Sequence, residues 1–124
     1  SSLAELNRRL VAAGHATVDM RRFRSNLVLE GLEPFDEDHL DELHIDTADG
    51  EVLLRLVKPC VRCTVPSVDP DTGEQGHAVS DMLATFRADA RMDGGITFGM
   101  NAVIVEGIDR TLRVGQAVRG TYRF

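Results

Sequence analysis

The stretch that decides the fold is Leu43-His-Ile-Asp-Thr-Ala-Asp-Gly-Glu-Val-Leu-Leu-Arg-Leu-Val57. At its centre, Thr47-Ala-Asp-Gly50 has the polar residues and the glycine that a tight hairpin turn requires. The flanking segments, Leu43–Ile45 and Glu51–Val57, are rich in branched apolar residues, which favours an extended backbone. The sequence therefore predicts a β-hairpin at this point.

Two helices are predicted outside the hairpin. A Ser-x-x-Glu capping box starts at Ser2, and apolar residues recur after it at helical spacing, so residues 2–13 predict a helix that Gly14 caps. A second helix is predicted to begin with Ser80 as its cap and to end before Gly94-Gly95. Its apolar stripe consists of Leu83, Phe86 and Ala90.

Further extended segments are predicted by apolar runs between turn residues. They are residues 26–30, 64–68, 96–106, 112–114 and 117–124. Pro59 is expected to end the second hairpin strand because proline has no amide hydrogen for a ladder. Acidic residues 35–42 predict a solvated loop or one helical turn, and residues 69–73 predict a tight turn. Several short strands without regular strand–helix alternation favour a mainly β fold, an antiparallel β-barrel with two or more flanking α-helices.

Composition limits the class of protein. With 124 residues, 43% of them hydrophobic, the chain suits one globular domain. Its formal net charge of -6 argues against a nucleic-acid partner, because phosphate recognition needs an excess of Lys and Arg. It has neither an apolar run of roughly 20 residues, which a membrane span needs, nor a signal peptide, so a cytoplasmic location is expected. A start at Ser1 without Met predicts a piece excised from a longer protein.

The first candidate site is Cys60-Val-Arg-Cys63, which contains both cysteines of the chain. This spacing occurs in half of a zinc site, in thioredoxin-like dithiols, and in pairs of buried cysteines that pack as small hydrophobic residues. No further Cys or His ligands stand at zinc-site spacing, and a dithiol motif would open a helix. Arg62 favours a reactive or ligating thiolate, since a neighbouring cation stabilises that form.

The second candidate site is Arg21-Arg22-Phe23-Arg24-Ser25-Asn26. Its closely spaced guanidinium groups and the amide of Asn26 could form a fork for phosphate or another oxyanion. A basic surface turn is the alternative. Neither cluster identifies a function by itself.

Taken together and in order, these clusters and several other motifs resemble the MOSC domain, the family of the C-terminal domain of molybdenum cofactor sulfurase. The similarity is greatest to the branch that contains the mitochondrial amidoxime-reducing component and its bacterial relatives. The motifs are Arg22-Phe23-Arg24-x-Asn26-Leu27-Val28, Pro34-Phe35-x-Glu37-Asp38, Lys58-Pro59-Cys60-x-Arg62-Cys63, Val68-Asp69-Pro70-Asp71-Thr72-Gly73, Phe98-Gly99 and Val114-Gly115.

This resemblance implies a site for the molybdenum cofactor (molybdopterin). It assigns the molybdenum ligand, and thus the catalytic position, to Cys63 rather than Cys60. Arg24 and Asn26 would bind the cofactor, with Arg62 and the backbone of Val61 beside it. The implied activity is two-electron reduction of small N-oxygenated substrates such as amidoximes and N-hydroxylated bases, with electrons from a flavin or iron–sulfur partner.

The family also implies an alternative, a sulfur-carrying, cofactor-binding domain of a molybdenum cofactor sulfurase that works with a pyridoxal-phosphate-dependent domain. The sequence departs from the family at Ser25, where many relatives have proline. Relatives also carry an upstream β-rich MOSC N-terminal domain that contacts the cofactor, and a downstream C-x4-C-x2-C pattern would add a ferredoxin-like donor. We therefore expect the fragment alone to fold, to bind the cofactor weakly or not at all, and to be inactive.

Overall fold

The computed structural model describes residues 1–123. Its helices are α1 (Ser2–Ala12) and α2 (Ala78–Phe86). Its strands are β1 (Leu40–Thr47), β2 (Gly50–Val61), β3 (Ala88–Asp89), β4 (Gly95–Glu106) and β5 (Val118–Tyr122). Short 3-10 helices are formed by Met20–Phe23, Asp36–His39, Val65–Ser67 and Ala90–Met92.

The predicted hairpin is confirmed. Strands β1 and β2 pair in antiparallel register, with Leu43 opposite Leu54 and Thr47 opposite Gly50. Because directly opposite residues of an antiparallel pair project to the same face, Leu43 and Leu54 lie together, and both are buried. Gly50 has a φ of 123°, a conformation that side chains rarely adopt, so the glycine at the turn is required.

The sheet has the strand order β3-β4-β2-β1-β5. The mainly β class with antiparallel strands and two α-helices is confirmed. Among residues 1–123 the sheet stays open instead of closing into the expected barrel, because β3 and β5 occupy opposite edges and do not pair with each other. No helix in this part of the chain is long and apolar enough to cross a membrane.

Two compact units can be distinguished within the chain. One comprises residues 1–35 and 60–98, and the other comprises residues 36–59 and the chain from 99 onward. The core of the first unit consists of Leu6, Leu10, Phe23, Val79, Leu83 and Phe98. Buried apolar side chains of the second unit are Leu40, Leu43, Ile45, Val52, Leu54 and Leu56.

Both helix predictions hold in outline and differ in detail. The N-terminal cap of α1 is Ser1 and not the predicted Ser2, because the Ser1 hydroxyl accepts a hydrogen bond from the Ala4 N–H at 3.2 Å. Helix α1 ends as expected, with Gly14 in the left-handed conformation at a φ of 85°. Helix α2 begins two residues before Ser80, and its end at Phe86 leaves Ala90 in a 3-10 helix. The hydroxyl of Ser67 accepts a hydrogen bond from the Ser80 N–H at 3.1 Å, so a residue from another segment provides this cap.

Several predicted extended segments were wrong. Residues 26–30 and 112–114 form no strand, and Leu27, Val28 and Val114 are exposed, so these apolar runs have no neighbouring strand to pair with. Residues 65–67 form a 3-10 helix with Pro66 in its first turn, where the missing N–H costs nothing.

The two predicted strands nearest the C-terminus are confirmed in large part. Strand β4 matches the predicted residues 96–106, and β5 matches most of the last predicted strand. Phe124, which that prediction included, lies outside the described residues. Pro59 does not end β2, which continues to Val61, because proline removes only one donor and fits an extended backbone.

The fully buried Leu10 offers a test of the first unit's core. We expect Leu10→Ala to lower the free energy of unfolding by about 2–5 kcal/mol, because it removes buried methyl groups and leaves a cavity. Val11, its neighbour on the exposed side of α1, is the matched control, and Val11→Ala should change stability by less than about 0.5 kcal/mol. Urea denaturation measures both, and equal losses would contradict this core assignment.

Glu5 in α1 predicts a specific pH dependence. Hydrogen bonds from Arg8 and Arg9 hold the pKa of its carboxyl at about 2, below the ordinary 4.5. Because the folded-state pKa is the lower one, the stabilisation is present above 4.5 and is lost as the pH falls towards 2. The stability difference between wild type and Glu5→Gln should therefore shrink across that range in urea denaturation. A difference that stayed constant would show that the ion pairs contribute nothing, as exposed pairs often do.

Candidate functional site

The cysteine motif lies where β2 ends. Cys60 is within β2 and partly buried, whereas Cys63 follows the last strand residue by two positions and is exposed. The backbone N–H of Arg62 donates to the Ile96 carbonyl at 2.7 Å, which keeps the chain beside the start of β4. Both thiols are free, and Cys63 is the more exposed of the two. The exposure of Cys63 rules out a pair of buried, purely packing cysteines.

The Arg62 side chain fixes this segment to two others. Its Nε donates to the Phe98 carbonyl at 2.9 Å, and its Nη1 donates to the Phe23 carbonyl at 2.7 Å. The guanidinium carbon lies 5.3 Å from the Phe23 ring centre. The rings of Phe23 and Phe98 stack with their centres 4.0 Å apart, and both are buried. Arg62 therefore links its own segment, which contains Cys63, to the Arg-rich segment and to β4. The link lies beside the stacked rings of Phe23 and Phe98.

A cavity of about 230 Å³ lies at this junction. Four of the five predicted site residues line it, although they come from two segments far apart in sequence. Its lining consists of Arg22, Phe23, Arg24, Val61, Arg62, Cys63, Val65 and Pro66. Among these, Phe23, Val65 and Pro66 were not predicted as site residues, and Arg22 was predicted only as a member of the Arg-rich cluster. For Arg22 and Phe23 the signal was their place beside Arg24 in one motif, and nothing in the sequence pointed to Val65 or Pro66.

Arg24 has an unusual backbone conformation. Its φ of 50° is in the left-handed region, at the end of the 3-10 helix Met20–Phe23. Such a conformation costs about 1–3 kcal/mol in a residue other than glycine and occurs often at functional sites. Within residues 1–123, no hydrogen bond or ion pair engages the exposed Arg24 guanidinium. Its charge is therefore available to a ligand in the cavity.

The other arginines of the cluster have protein partners. Arg21 pairs with Asp19 at 2.8 Å and with Asp71 at 2.9 Å, and these contacts lower the pKa of both carboxyls. The Arg22 Nη1 donates to the Pro66 carbonyl at 3.3 Å. The three guanidinium groups thus do not form the common fork that the sequence suggested, and Arg21 connects the segment to the turn at residues 69–73.

Asn26 is the predicted site residue that the structure does not bring into the cavity. It is exposed, and it does not belong to the cavity lining. Arg24 and Arg62 define the cavity without it.

A larger cavity of about 390 Å³ lies nearby and shares Arg22. It contains His15, His77, Asp69 and Glu74 among its lining residues but none of the five predicted site residues. In the described part of the chain, no three His, Cys, Asp or Glu side chains are grouped so that they could hold a metal ion. The smaller cavity, which is lined by the exposed Cys63, is the candidate site.

Comparisons with known proteins identify the family. Residues 1–119 match the model of the MOSC domain. The chain is 45% identical over 73 residues to mitochondrial amidoxime reducing component 2 of Rattus norvegicus, a match that covers 59% of this chain and 19% of that protein. It is 39% identical over 88 residues to molybdenum cofactor sulfurase of Caenorhabditis briggsae, covering 68% of this chain and 12% of that protein.

A third relative is similar over almost the whole chain. It is the molybdenum cofactor sulfurase of Oryza sativa subsp. japonica, 33% identical over 130 residues, which cover 94% of this chain and 15% of that protein. The chain thus spans only about a tenth to a fifth of the length of the curated relatives that it matches. Because the family model accounts for residues 1–119 of 124, this chain belongs to the MOSC domain family.

Proposed function

We propose that this chain is the molybdenum-cofactor-binding domain of an oxidoreductase that reduces N-oxygenated substrates such as amidoximes and N-hydroxylated bases. Cys63 is the molybdenum ligand in this proposal. The names of the amidoxime-reducing relatives support this class of reaction. The observation that carries the proposal is the cavity of about 230 Å³, which is lined by the exposed Cys63 and by Arg24, whose guanidinium has no hydrogen-bond or ion-pair partner within residues 1–123.

The single protein thiolate suits a metal ion whose other ligands come from a cofactor. One thiol cannot hold a bare ion, and no group of three or more possible ligands exists within residues 1–123. A single soft thiolate does suit molybdenum whose remaining positions are occupied by the dithiolene sulfurs of a pterin. The cavity volume of about 230 Å³ is below the usual range of small-molecule sites, so it accommodates one end of the cofactor rather than the whole.

Each residue has a separate task in this proposal. When bound, the molybdenum cofactor supplies the two-electron chemistry. Cys63 provides the thiolate and anchors the metal end. Arg24 would pair with the anionic groups of the cofactor, and Asn26, which is exposed and outside the cavity lining, would contact the cofactor beyond the cavity. Val61 and Arg62 form the wall beside Cys63, and the hydrogen bonds of Arg62 to two carbonyls keep that wall rigid.

The rest of the site has to come from other parts of the protein. We propose an upstream β-rich MOSC N-terminal domain that completes the cofactor site, and a flavin or iron–sulfur partner, or an appended ferredoxin-like domain, that delivers electrons. The much greater length of the relatives supports additional domains. In this arrangement the 124-residue domain alone holds little cofactor and is inactive, and the whole protein works in the cytoplasm.

A second candidate is a sulfur-carrying and cofactor-binding role in a molybdenum cofactor sulfurase. The match to the rice sulfurase over 94% of the chain favours it specifically. In that case a pyridoxal-phosphate-dependent domain with a Schiff-base lysine would precede this chain. The flanking gene sequence separates the two candidates, because a short β-rich region is expected for the reductase.

Substitution of each cysteine tests the ligand assignment. In the protein expressed with its native flanking sequence, Cys63→Ala should abolish bound molybdenum and reductase activity, because it removes the exposed thiol from the cavity. Cys60→Ala is the matched control, since Cys60 is partly buried in β2 and does not line the cavity, and it should retain both. Elemental analysis and reduction of benzamidoxime are the measurements. Loss of molybdenum in Cys60→Ala with retention in Cys63→Ala would reverse the assignment.

A pair of arginine variants tests the contact with the cofactor. Arg24→Gln should reduce the molybdenum content about tenfold or more, because a charge-assisted contact of roughly 1.5–3 kcal/mol is lost. Arg21→Gln is the control within the same cluster, since its guanidinium is already paired with Asp19 and Asp71. It should retain the metal. If both variants lost molybdenum equally, the cluster would act through its total charge and not through Arg24.

A further inference from the structure

The Phe23 carbonyl, which accepts a hydrogen bond from Arg62, belongs to the peptide unit that leads into Arg24. A peptide unit is planar, and its six atoms include the Cα atoms of both residues that it joins. In this unit the carbonyl accepts from the Arg62 Nη1 at 2.7 Å, and the N–H of Arg24 donates to the Arg21 carbonyl at 3.2 Å. Both polar groups of the unit are engaged, so its orientation and the position of the Arg24 Cα are held together.

Arg24 is a residue that needs such support. Its φ of 50° is unfavourable for a residue other than glycine, so its backbone gains free energy by leaving this conformation. On its C-terminal side, Ser25 and Asn26 are exposed, and neither forms a hydrogen bond within residues 1–123. In this part of the chain, the bonds that hold Arg24 in place therefore lie on its N-terminal side.

Arg62 and Arg24 both line the cavity, but their guanidinium groups differ in what they already bind. Arg62 is half-buried and donates to two backbone carbonyls, whereas Arg24 is exposed and its guanidinium has no hydrogen-bond or ion-pair partner within residues 1–123. A guanidinium has five N–H donors in a fixed fork, and those that hold carbonyls are not available to a ligand. This difference favours Arg24 for contact with a ligand and Arg62 for its placement.

We propose that Arg62 is a positioning residue of the cofactor site, which acts on the cofactor through Arg24 and not through its own charge. By holding the Phe23 carbonyl, Arg62 keeps Arg24 at the cavity, where Arg24 pairs with the anionic groups of the cofactor. This role rests on the proposed function, because that function supplies the ligand that Arg24 contacts.

Arg87 is a matched arginine for comparison. Its Nε donates to the Thr97 carbonyl at 2.9 Å, and its guanidinium carbon lies 4.3 Å from the centre of the Phe35 ring. Like Arg62, it joins a backbone carbonyl to an aromatic ring within the first unit, but it does not line the cavity. Loss of Arg87 should therefore lower stability without an effect on Arg24.

Amide hydrogen exchange of the protein, expressed with its native flanking sequence, tests the placement of Arg24. Arg62→Gln should raise the exchange rate of residues 21–26 about tenfold or more relative to that of α2, because loss of a bond from a charged donor makes local opening easier by about that factor. Arg87→Gln should leave this ratio as it is in wild type. An unchanged ratio in Arg62→Gln would overturn the proposal.

The molybdenum content of the same preparations tests the action on the cofactor. Arg62→Gln and Arg62→Lys should each lower it about tenfold or more, because neither side chain offers the fixed pair of donors. The double variant of Arg24→Gln and Arg62→Gln should lose no more molybdenum than Arg24→Gln alone, since both residues act through one contact. Arg87→Gln should retain the metal.

Three results of the metal analysis would contradict the positioning role. Retention of molybdenum in Arg62→Lys together with its loss in Arg62→Gln would show that the charge acts directly. A loss in the double variant that equals the product of the two single losses would show independent contacts. An equal loss in Arg87→Gln would reduce Arg62 to a general role in stability. A wild-type protein without molybdenum would contradict the proposed function instead, and the exchange ratio, which needs no cofactor, would still decide whether Arg62 holds Arg24.

Discussion

The two hydrogen bonds from Arg62 to the carbonyls of Phe23 and Phe98 are the constraint on which the candidate site depends. A guanidinium is planar and carries donors at fixed angles, so one side chain can hold two separate backbone segments in a defined geometry. A lysine in this position would offer a point charge on a flexible stem in place of this fixed pair of donors. Without them, two carbonyls beside a buried aromatic stack would lose their partner, which is costly in a partly buried setting.

The arginines near the cavity have two different roles, either stabilising the protein's own structure or remaining available to a ligand. Arg21 is engaged by two carboxylates, Arg22 by a carbonyl and Arg62 by two carbonyls, so these three charges stabilise the protein's own structure. Arg24 alone combines an exposed guanidinium with a strained backbone at a φ of 50°. The Arg24 N–H donates to the Arg21 carbonyl at 3.2 Å, and the adjoining Phe23 carbonyl accepts from Arg62, so bonds on its N-terminal side hold the backbone in this unfavourable conformation.

The parts of the fold that depend on local patterns were predictable from sequence. The β1–β2 hairpin follows from a turn between two apolar runs, and α1 follows from its periodicity and the glycine after it. The start of α2 was not predictable, because its amide cap is the Ser67 hydroxyl, 13 residues away from Ser80. The failure at residues 26–30 has the same origin, since an apolar run becomes a strand only where a partner strand lies beside it.

The candidate site was predictable in its residues and not in its geometry. Residue types and the family resemblance identified Arg24 and Cys63, but nothing in the sequence shows that Arg24 is left-handed or that Arg21 is already paired with Asp71. These facts depend on contacts between segments about 50 residues apart, which a local pattern does not contain.

The two cysteines, which the C-x-x-C spacing alone does not distinguish, differ in their structural surroundings. Cys60 lies within β2, where the ladder fixes its orientation and its thiol is partly buried. Cys63 lies beyond the last strand residue, where the backbone is free of the ladder, and a 3-10 helix begins two residues later at Val65. The thiol of Cys63 is therefore exposed, while its backbone directly follows Arg62, which is held by hydrogen bonds of its backbone and its side chain. That combination is what a single protein ligand needs, because it must reach a metal that other groups already hold while losing little conformational entropy.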